Sequence, residues 1–370
     1  MNPFKFGQVV EGKSFCHRDD LQKTLKSYIL SAQNTVLQGD RRMGKTSLVY
    51  ETVRNLKKYR LLAIDLMGIK SADDLCKRIA RALISLEQQA GMLEKAISAF
   101  PRLRPSITFD PVSGQAGVSF DKSIKLTPDS IKGLCDMIKQ ASARKPTVVF
   151  IDEFQDILNL PDSNETLALL RAEIQHHQDV PYLFAGSMRN RMMEIFILPD
   201  SPFFKSALPL EIGPLNALEF IPFLIEKFAT GDRVLPPELG ERILSLADHT
   251  SGDVQQLCGA LWETTRHGEP LEEKHLPPAL LRIFAQETKG YEAMLVQVTA
   301  QQQNCLRALA ALGGKNPYSK PFMRETGIQH ASSVKKAITR LCQLQIIYPR
   351  EEDFRFINPF FKHWLVWMRL

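Results

Sequence analysis

Along the first half of the chain, short apolar runs ending in turn residues alternate with stretches whose apolar positions recur every three or four residues. Asn34 to Gln38, Leu61 to Leu66, Thr147 to Ile151 and Tyr182 to Ala185 read as short buried strands. A fifth, Leu208 to Ile212, is placed at a sheet edge, because Pro209 has no N–H to give a ladder. Between the runs, Arg18-Asp19-Asp20-Leu21 opens a helix with Leu21, Leu25, Tyr28 and Ile29 on one face, and Thr46 to Val53 forms a second. Ser71-Ala72-Asp73-Asp74 caps a longer helix carrying Leu75, Ile79, Leu83 and Leu86. Strands alternating with helices predict an α/β fold, a parallel five-stranded sheet between two helical layers.

The segment 106–120 breaks that rhythm. Its apolar residues fall at every second position on both sides of Ser113-Gly114, which predicts an inserted β-hairpin. Arg102, Arg104, Lys122 and Lys125 flank it, so it can cover a sheet edge or touch nucleic acid or a partner. From Asn216 to about Phe284 the pattern is helical throughout, punctuated at Leu235-Pro236-Pro237 and Leu276-Pro277-Pro278. The last block has two helices (Gln301 to Leu312, Ser319 to Thr326), a third from Ala331 to Leu341, and β segments at Ile346 to Arg350 and Phe354 to Ile357. That order is the winged-helix order. The expected division is a core over 1–215, a helical lid over 216–290 and a winged-helix domain over 291–370.

Two motifs carry chemistry. Gly39-Asp40-Arg41-Arg42-Met43-Gly44-Lys45-Thr46 has the form G-x-x-x-x-G-K-T between strand and helix, with Ser47 next along. This is a phosphate-binding loop (Walker A): its backbone N–H groups cradle phosphates at a helix N-terminus, Lys45 sets a point charge on the β- and γ-phosphates, and the Thr46 hydroxyl suits Mg²⁺. Arg41 and Arg42 can bridge to neighbouring helices or a partner subunit. Thr147-Val148-Val149-Phe150-Ile151 runs into Asp152-Glu153, an apolar strand ending in two carboxylates (Walker B). Asp152 is placed to hold Mg²⁺ through water, and Glu153 to orient and deprotonate an attacking water. Together the motifs predict a nucleoside triphosphate with Mg²⁺ and hydrolysis of its γ-phosphate. Asp156 reads as a helix-start residue. Gly186-Ser187 ends the next strand, so Ser187 can sense the γ-phosphate or the lytic water; Arg189 and Arg191 follow and can serve as arginine fingers or surface ion pairs.

In the last block Ser332 and Ser333 are expected to cap the third helix. Val334, Ile338 and Leu341 point inward, while Lys335, Lys336 and Arg340, with Arg350 in the wing, can contact duplex DNA. The same surface can instead dock a protein client. Trp364 and Trp367 are expected to pack the last helix onto the wing, and His176-His177 reads as a polar helix end.

Composition adds little. At 370 residues and 44% apolar content the chain holds two or three ordinary domains. A net charge of +6 permits nucleic acid without arguing for it. No apolar run approaches a membrane span, and the N-terminus lacks a signal-peptide pattern. Six separated cysteines read as reduced thiols of a cytoplasmic protein, and the eight histidines form no ligand-spaced set.

The whole chain resembles the archaeal-type ATPases of the AAA+/STAND-related P-loop superfamily, found in archaea and many bacteria. The likeness rests on the lead-in Asn2-Pro3-Phe4, Phe6-Gly7, Phe15, Arg18 and Leu21; on the loop at 39–48, close to G-P-R-R-x-G-K-T-S-L with Asp40 in place of proline; and on Ile151-Asp152-Glu153-Phe154-Gln155. Gly186-Ser187-Met188, Phe356-Ile357-Asn358-Pro359-Phe360 and Trp364-Leu365 complete it. The resemblance implies ATP as nucleotide and a lid-plus-winged-helix layout; whether the chain forms a homo-oligomer is left open by the sequence. Two positions depart from the family: Lys205 stands after Phe203-Phe204 where members often carry an arginine, and the lid reads Ser251-Gly252-Asp253-Val254 followed by Gln255 and Gln256. A lysine lacks the planar fork of a finger arginine, which shifts that role toward Arg189 or Arg191.

Overall fold

The computed structural model describes residues 1–16, 18–89, 106–109, 116–119, 128–187, 189–350 and 353–368. They form two compact units, Val9–Gly213 and a second made of Met1–Gln8 with Pro214–Leu370.

In the first unit the elements run α1 (Asp19–Leu30), β1 (Thr35–Gln38), α2 (Lys45–Asn55), β2 (Arg60–Asp65), α3 (Ala72–Gln89), β3 (Ser106–Phe109), β4 (Ala116–Ser119), α4 (Pro128–Arg144), β5 (Thr147–Asp152), a 3₁₀ turn (Phe154–Asn159), α5 (Ser163–Ile174), β6 (Tyr182–Gly186), α6 (Arg189–Phe196) and β7 (Leu208–Glu211). The sheet is five-stranded in the order β2-β5-β6-β1-β7, and every pairing in it is parallel. The period of two along β5 decides the layers. Val148 and Phe150 pack with Leu25 and Ile29 of α1 and Leu48, Val49 and Val53 of α2. Val149 and Ile151 face the other way, onto Ile79, Leu83, Ile138, Leu170 and Phe196. A strand buried on both faces must be apolar throughout, which is why its motif reads as an unbroken run. β7 lies at the edge, as Pro209 requires. The inserted hairpin is present as β3 and β4, antiparallel with Ser106 opposite Ser119. Arg102, Arg104, Lys122 and Lys125 lie outside the described residues.

The second unit runs α7 (Ala217–Ala229), α8 (Pro237–Leu246), α9 (Ser251–Thr264), α10 (Leu276–Val296), α11 (Ala300–Leu312), α12 (Lys320–Thr326), α13 (Ala331–Gln343), β8 (Ile347–Arg350), β9 (Asp353–Phe356) and α14 (Pro359–Trp367). Three helices and an antiparallel hairpin give the winged helix. Several sequence expectations shift here. Met1–Gln8 belongs to this unit rather than to the core expected over 1–215, because Asn2 donates to the Gly259 carbonyl and Phe4 packs 4.6 Å from Phe228 and 6.2 Å from Trp262. α10 runs helically through 290–291, where Gly290 is held within it, and ends before the Thr299 capping box of α11. Ser332 and Ser333 lie inside the first turn of α13, whose N-cap is His330, and make no cap. Trp364 and Trp367 pack chiefly on α10, through Tyr291 at 5.3 Å and Phe284 at 5.8 Å; the wing is reached by Phe361 against Phe356. In the first unit, His177 is buried and paired to the Tyr182 hydroxyl at 2.7 Å rather than forming a polar helix end.

All six cysteines are free thiols. Burial pushes Cys76 and Cys135 up to about 12 and Cys305 to about 11, and raises Cys258 as well. Alkylation of the native chain at pH 8 is therefore expected at the half-buried Cys16 and Cys342, with the other four reacting only after unfolding. Peptide mass mapping checks this, and native labelling of Cys76 or Cys135 would contradict the packing. No described helix is long and apolar enough to cross a membrane.

Candidate functional site

The site lies where β1, β6 and β5, adjacent in the sheet, end at their C-terminal edge. In a parallel sheet each strand hands its chain to a loop on that edge, so residues distant in sequence meet there.

β1 passes into the loop 39–44, and its two glycines serve different needs. Gly39 lets the loop pass the Ile212 backbone, since a Cβ there would sit 2.7 Å from that carbonyl oxygen. Gly44 is left-handed at φ +82 and forms the N-cap of α2. Met43 does not line the loop's open side; it is buried in the core between the sheet and α1 and α2. Ser47 is likewise committed, accepting the Val10 N–H at 3.1 Å, and Glu51 one turn on accepts Gly12 N–H at 2.8 Å. These bonds lay the lead-in segment along α2. That leaves the backbone of the loop, Lys45 and Thr46 as the groups of the motif suited to phosphate. Arg41 and Arg42 are exposed, and Arg42 adopts φ 62.

Lys45 is buried, and its ammonium donates to the Gly39 and Asp40 carbonyls at 2.8 and 2.9 Å. Burial holds its pKa below the usual lysine value, against the pull of Glu153, Asp152 and Asp40. The Thr46 hydroxyl donates to Asp152 Oδ2 at 2.6 Å, and Asp152 Oδ1 accepts the Glu153 N–H at 3.0 Å. Burial raises the Asp152 pKa, opposed by those two bonds. Two hard oxygens in contact beside a buried lysine fit Mg²⁺, an ion that takes most of its ligands from water and phosphate. No cluster of three or more His, Cys, Asp or Glu suited to a metal occurs among the described residues.

Glu153 sits in the left-handed region, φ 49 and ψ 41, as N-cap of the 3₁₀ turn. A glutamate there is strained, so the turn must be held from outside. Phe154 supplies the anchor, fully buried 4.7 Å from Phe184 and 5.5 Å from Phe203. The Glu153 carboxylate accepts from Ser187 Oγ at 2.8 Å and from Gln155 Nε2. Arg41 Nε reaches Ser187 Oγ at 3.5 Å, so the phosphate loop, the second motif and the β6 terminus form one chain of polar contacts. Asp156 is no simple helix starter: its carboxylate accepts the Gly68 N–H at 2.7 Å and ties the turn to the loop after β2. Arg191 points elsewhere, donating to Asn159 Oδ1 at 2.9 Å. Arg189 opens α6, and its side chain is outside the described set. Lys205 is exposed, φ 51, with its ammonium 5.2 Å from the Phe204 ring centre.

Lys45, Thr46, Asp152, Glu153 and Ser187, expected from the sequence to share a site, do meet here. Gln155 was missed. A buried amide two residues past the carboxylate pair, opposite a glycine that ends the next strand, was the available signal.

In the winged helix, Val334, Ile338 and Leu341 are buried, while Lys335, Lys336 and Arg340 are exposed on the opposite face of α13 and Arg350 is half-buried in β8. Arg340 donates to Gln343 at 3.3 Å.

The five-stranded parallel sheet with its flanking helices is the fold of a P-loop NTPase. Residues 29–191 match the family profile described as "AAA domain", and residues 289–367 that described as "Probable winged helix domain". The chain thus carries an AAA domain followed by a C-terminal winged helix, the order that the resemblance to the archaeal-type ATPases implied. No curated protein sequence matches it. Similar solved structures include the Walker-type ATPase PABY2304 of Pyrococcus abyssi, with TM-score 0.68, 16% identity and coverage of 98% of this chain and 99% of that one. The ORC2 protein of Aeropyrum pernix in ADPNP–ADP complexes gives 0.55, 14%, 99% and 99%. The ORC1 protein of Aeropyrum pernix in complex with DNA gives 0.53, 14%, 97% and 96%. At such identities the likeness is one of fold.

Proposed function

We propose that this chain is a Mg²⁺-dependent ATP hydrolase whose nucleotide cycle moves its helical lid and winged helix. The observation that carries the reading is the meeting of Lys45, the Thr46–Asp152 pair and the Ser187–Glu153 pair at the ends of three neighbouring strands. The loop N–H groups and Lys45 bind the phosphates, and ATP is the nucleotide by family resemblance. Thr46 and Asp152 would hold Mg²⁺, which when bound neutralises charge on the β- and γ-phosphates. Glu153 orients a water in line with the γ-phosphate and takes its proton, while Ser187 fixes the carboxylate. Hydrolysis then releases the closed state. Arg189, Arg191 and Lys205 are the candidates for a charge supplied to a neighbouring copy.

The exposed basic face of α13 favours a second reading, a DNA-binding regulatory, mobile-element or defence-associated ATPase in which ATP mainly drives assembly. The DNA complex of the ORC1 protein is in keeping with it. Steady-state ATP hydrolysis with and without duplex DNA, blanked with Lys45→Ala, tests whether DNA acts on the site. Turnover stimulated by DNA joins the winged helix to the active site; turnover indifferent to DNA points to a protein client. Changing Lys335, Lys336 and Arg340 together to alanine is expected to weaken duplex binding. Its salt dependence should flatten by about one unit of slope for each phosphate no longer neutralised. Absent or salt-independent binding would sink the DNA reading.

A further inference from the structure

Gln155 is 1% exposed, yet nothing in the phosphate chemistry calls for an amide there. Its nitrogen donates to Glu153 Oε2 and, at 3.3 Å, to Asp156 Oδ1. Its oxygen Oε1 has no hydrogen-bond partner among the described residues. Burying an unpaired carbonyl costs free energy, so the side chain is a burden on the fold unless its N–H groups do something. Its seat is also tight. A Cβ at Gly186 would collide with Gln155 Oε1 and with Met192 Sδ, so the last residue of β6 has to be glycine for the amide to fit. Asp156, the amide's second acceptor, is itself fixed by the Gly68 N–H at 2.7 Å.

The geometry points to Gln155 as a positioning residue for Glu153. Gln155 and Ser187 both donate to Oε2, from the chain neighbour and from the adjacent strand, and two donors on one oxygen fix the plane of the carboxylate. We infer that this clamp turns Oε1 toward the attacking water and makes it the atom that takes the proton. The inference rests on the reading of Glu153 as the base. Gln155 does not touch the water; it acts through Glu153, whose carboxylate would otherwise turn about the single bond from Ser187. Ser187 alone cannot do this, since one hydrogen bond permits rotation about it.

The test is Gln155→Met, which keeps length and loses both donors, with Gln155→Leu made alongside so that one folded variant suffices. ATP affinity, measured by fluorescence of a labelled analogue, and KM should stay within about twofold. kcat should fall about 10- to 100-fold. In a Glu153→Gln background the same change should have no further effect on the residual rate, because its only route to the chemistry is gone. Retained kcat, an equal loss in both backgrounds, or a raised KM at unchanged kcat would each overturn the inference. An active wild type with an inactive Glu153→Gln chain keeps the base assignment standing even then, whereas a wild type without turnover removes both.

Discussion

Lys45→Ala is expected to lose nucleotide binding while changing the stability of the fold little. The binding loss follows from charge. An ammonium held 2.8 Å from the Gly39 carbonyl, inside the loop and shielded from water, meets phosphate in a medium of low effective dielectric. Removing one partner of such a desolvated pair costs about 3 kcal/mol or more, roughly a 100-fold or greater rise in Kd. Stability should change little, because two effects oppose. Lys45 is the first residue of α2, where the helix dipole and burial disfavour a cation. Alanine removes that charge but leaves the Gly39 and Asp40 carbonyls without the ammonium's hydrogen bonds. Isothermal titration with ATP and Mg²⁺ reads the first effect and thermal unfolding the second. Affinity kept within a few-fold would move the phosphate site away from the loop. A large fall in Tm at unchanged affinity would make Lys45 a structural residue.

The fold was legible because its signals are local and redundant. β5 is buried on both faces, so its motif is continuously apolar; Pro209 marks the edge; the helices between strands carry one apolar face each. Less legible were features decided by contacts between distant segments. That Met1–Gln8 joins the second unit depends on Phe4 finding Phe228 and Trp262, and no periodicity in eight residues can announce that. That α10 carries Gly290 within it is likewise decided by packing, since a lone glycine in a helical pattern reads equally well as a break.

The site divides in the same way. Lys45, Thr46, Asp152 and Glu153 are legible because phosphate and metal chemistry dictates residue type and spacing, and Ser187 because it ends a strand at the same edge. Ser47 and Met43 show the limit: both stand in the motif, but one is bonded to Val10 and the other packed in the core, so membership in a motif did not settle where a side chain points. Gln155 shows the converse. It carries no reactive group, and only the common acceptor it shares with Ser187 reveals its place.

Glu153→Gln is expected to bind ATP as the wild type does and to hydrolyse it about 100- to 10,000-fold more slowly, the usual contribution of a positioned general base. The substitution is close to isosteric. An amide oxygen placed where Oε2 stands can accept from both Ser187 and Gln155, so the clamp survives. The amide nitrogen then occupies the other position and presents N–H groups to the water, which it cannot deprotonate. Because Lys45, Thr46 and the loop backbone are untouched, KM and Kd should move by less than about twofold and the loss should fall on kcat. Near wild-type turnover would overturn the base assignment. A parallel rise in Kd would mean that the carboxylate helps hold the nucleotide instead. If the expected split is found, the variant is a means of keeping ATP in place, and duplex affinity measured on it with ATP and with ADP becomes decisive. A difference between the two nucleotides shows that the winged helix responds to the state of the phosphate site; equal affinity shows that it does not, and the reading of a nucleotide-driven movement of that domain would fall with it.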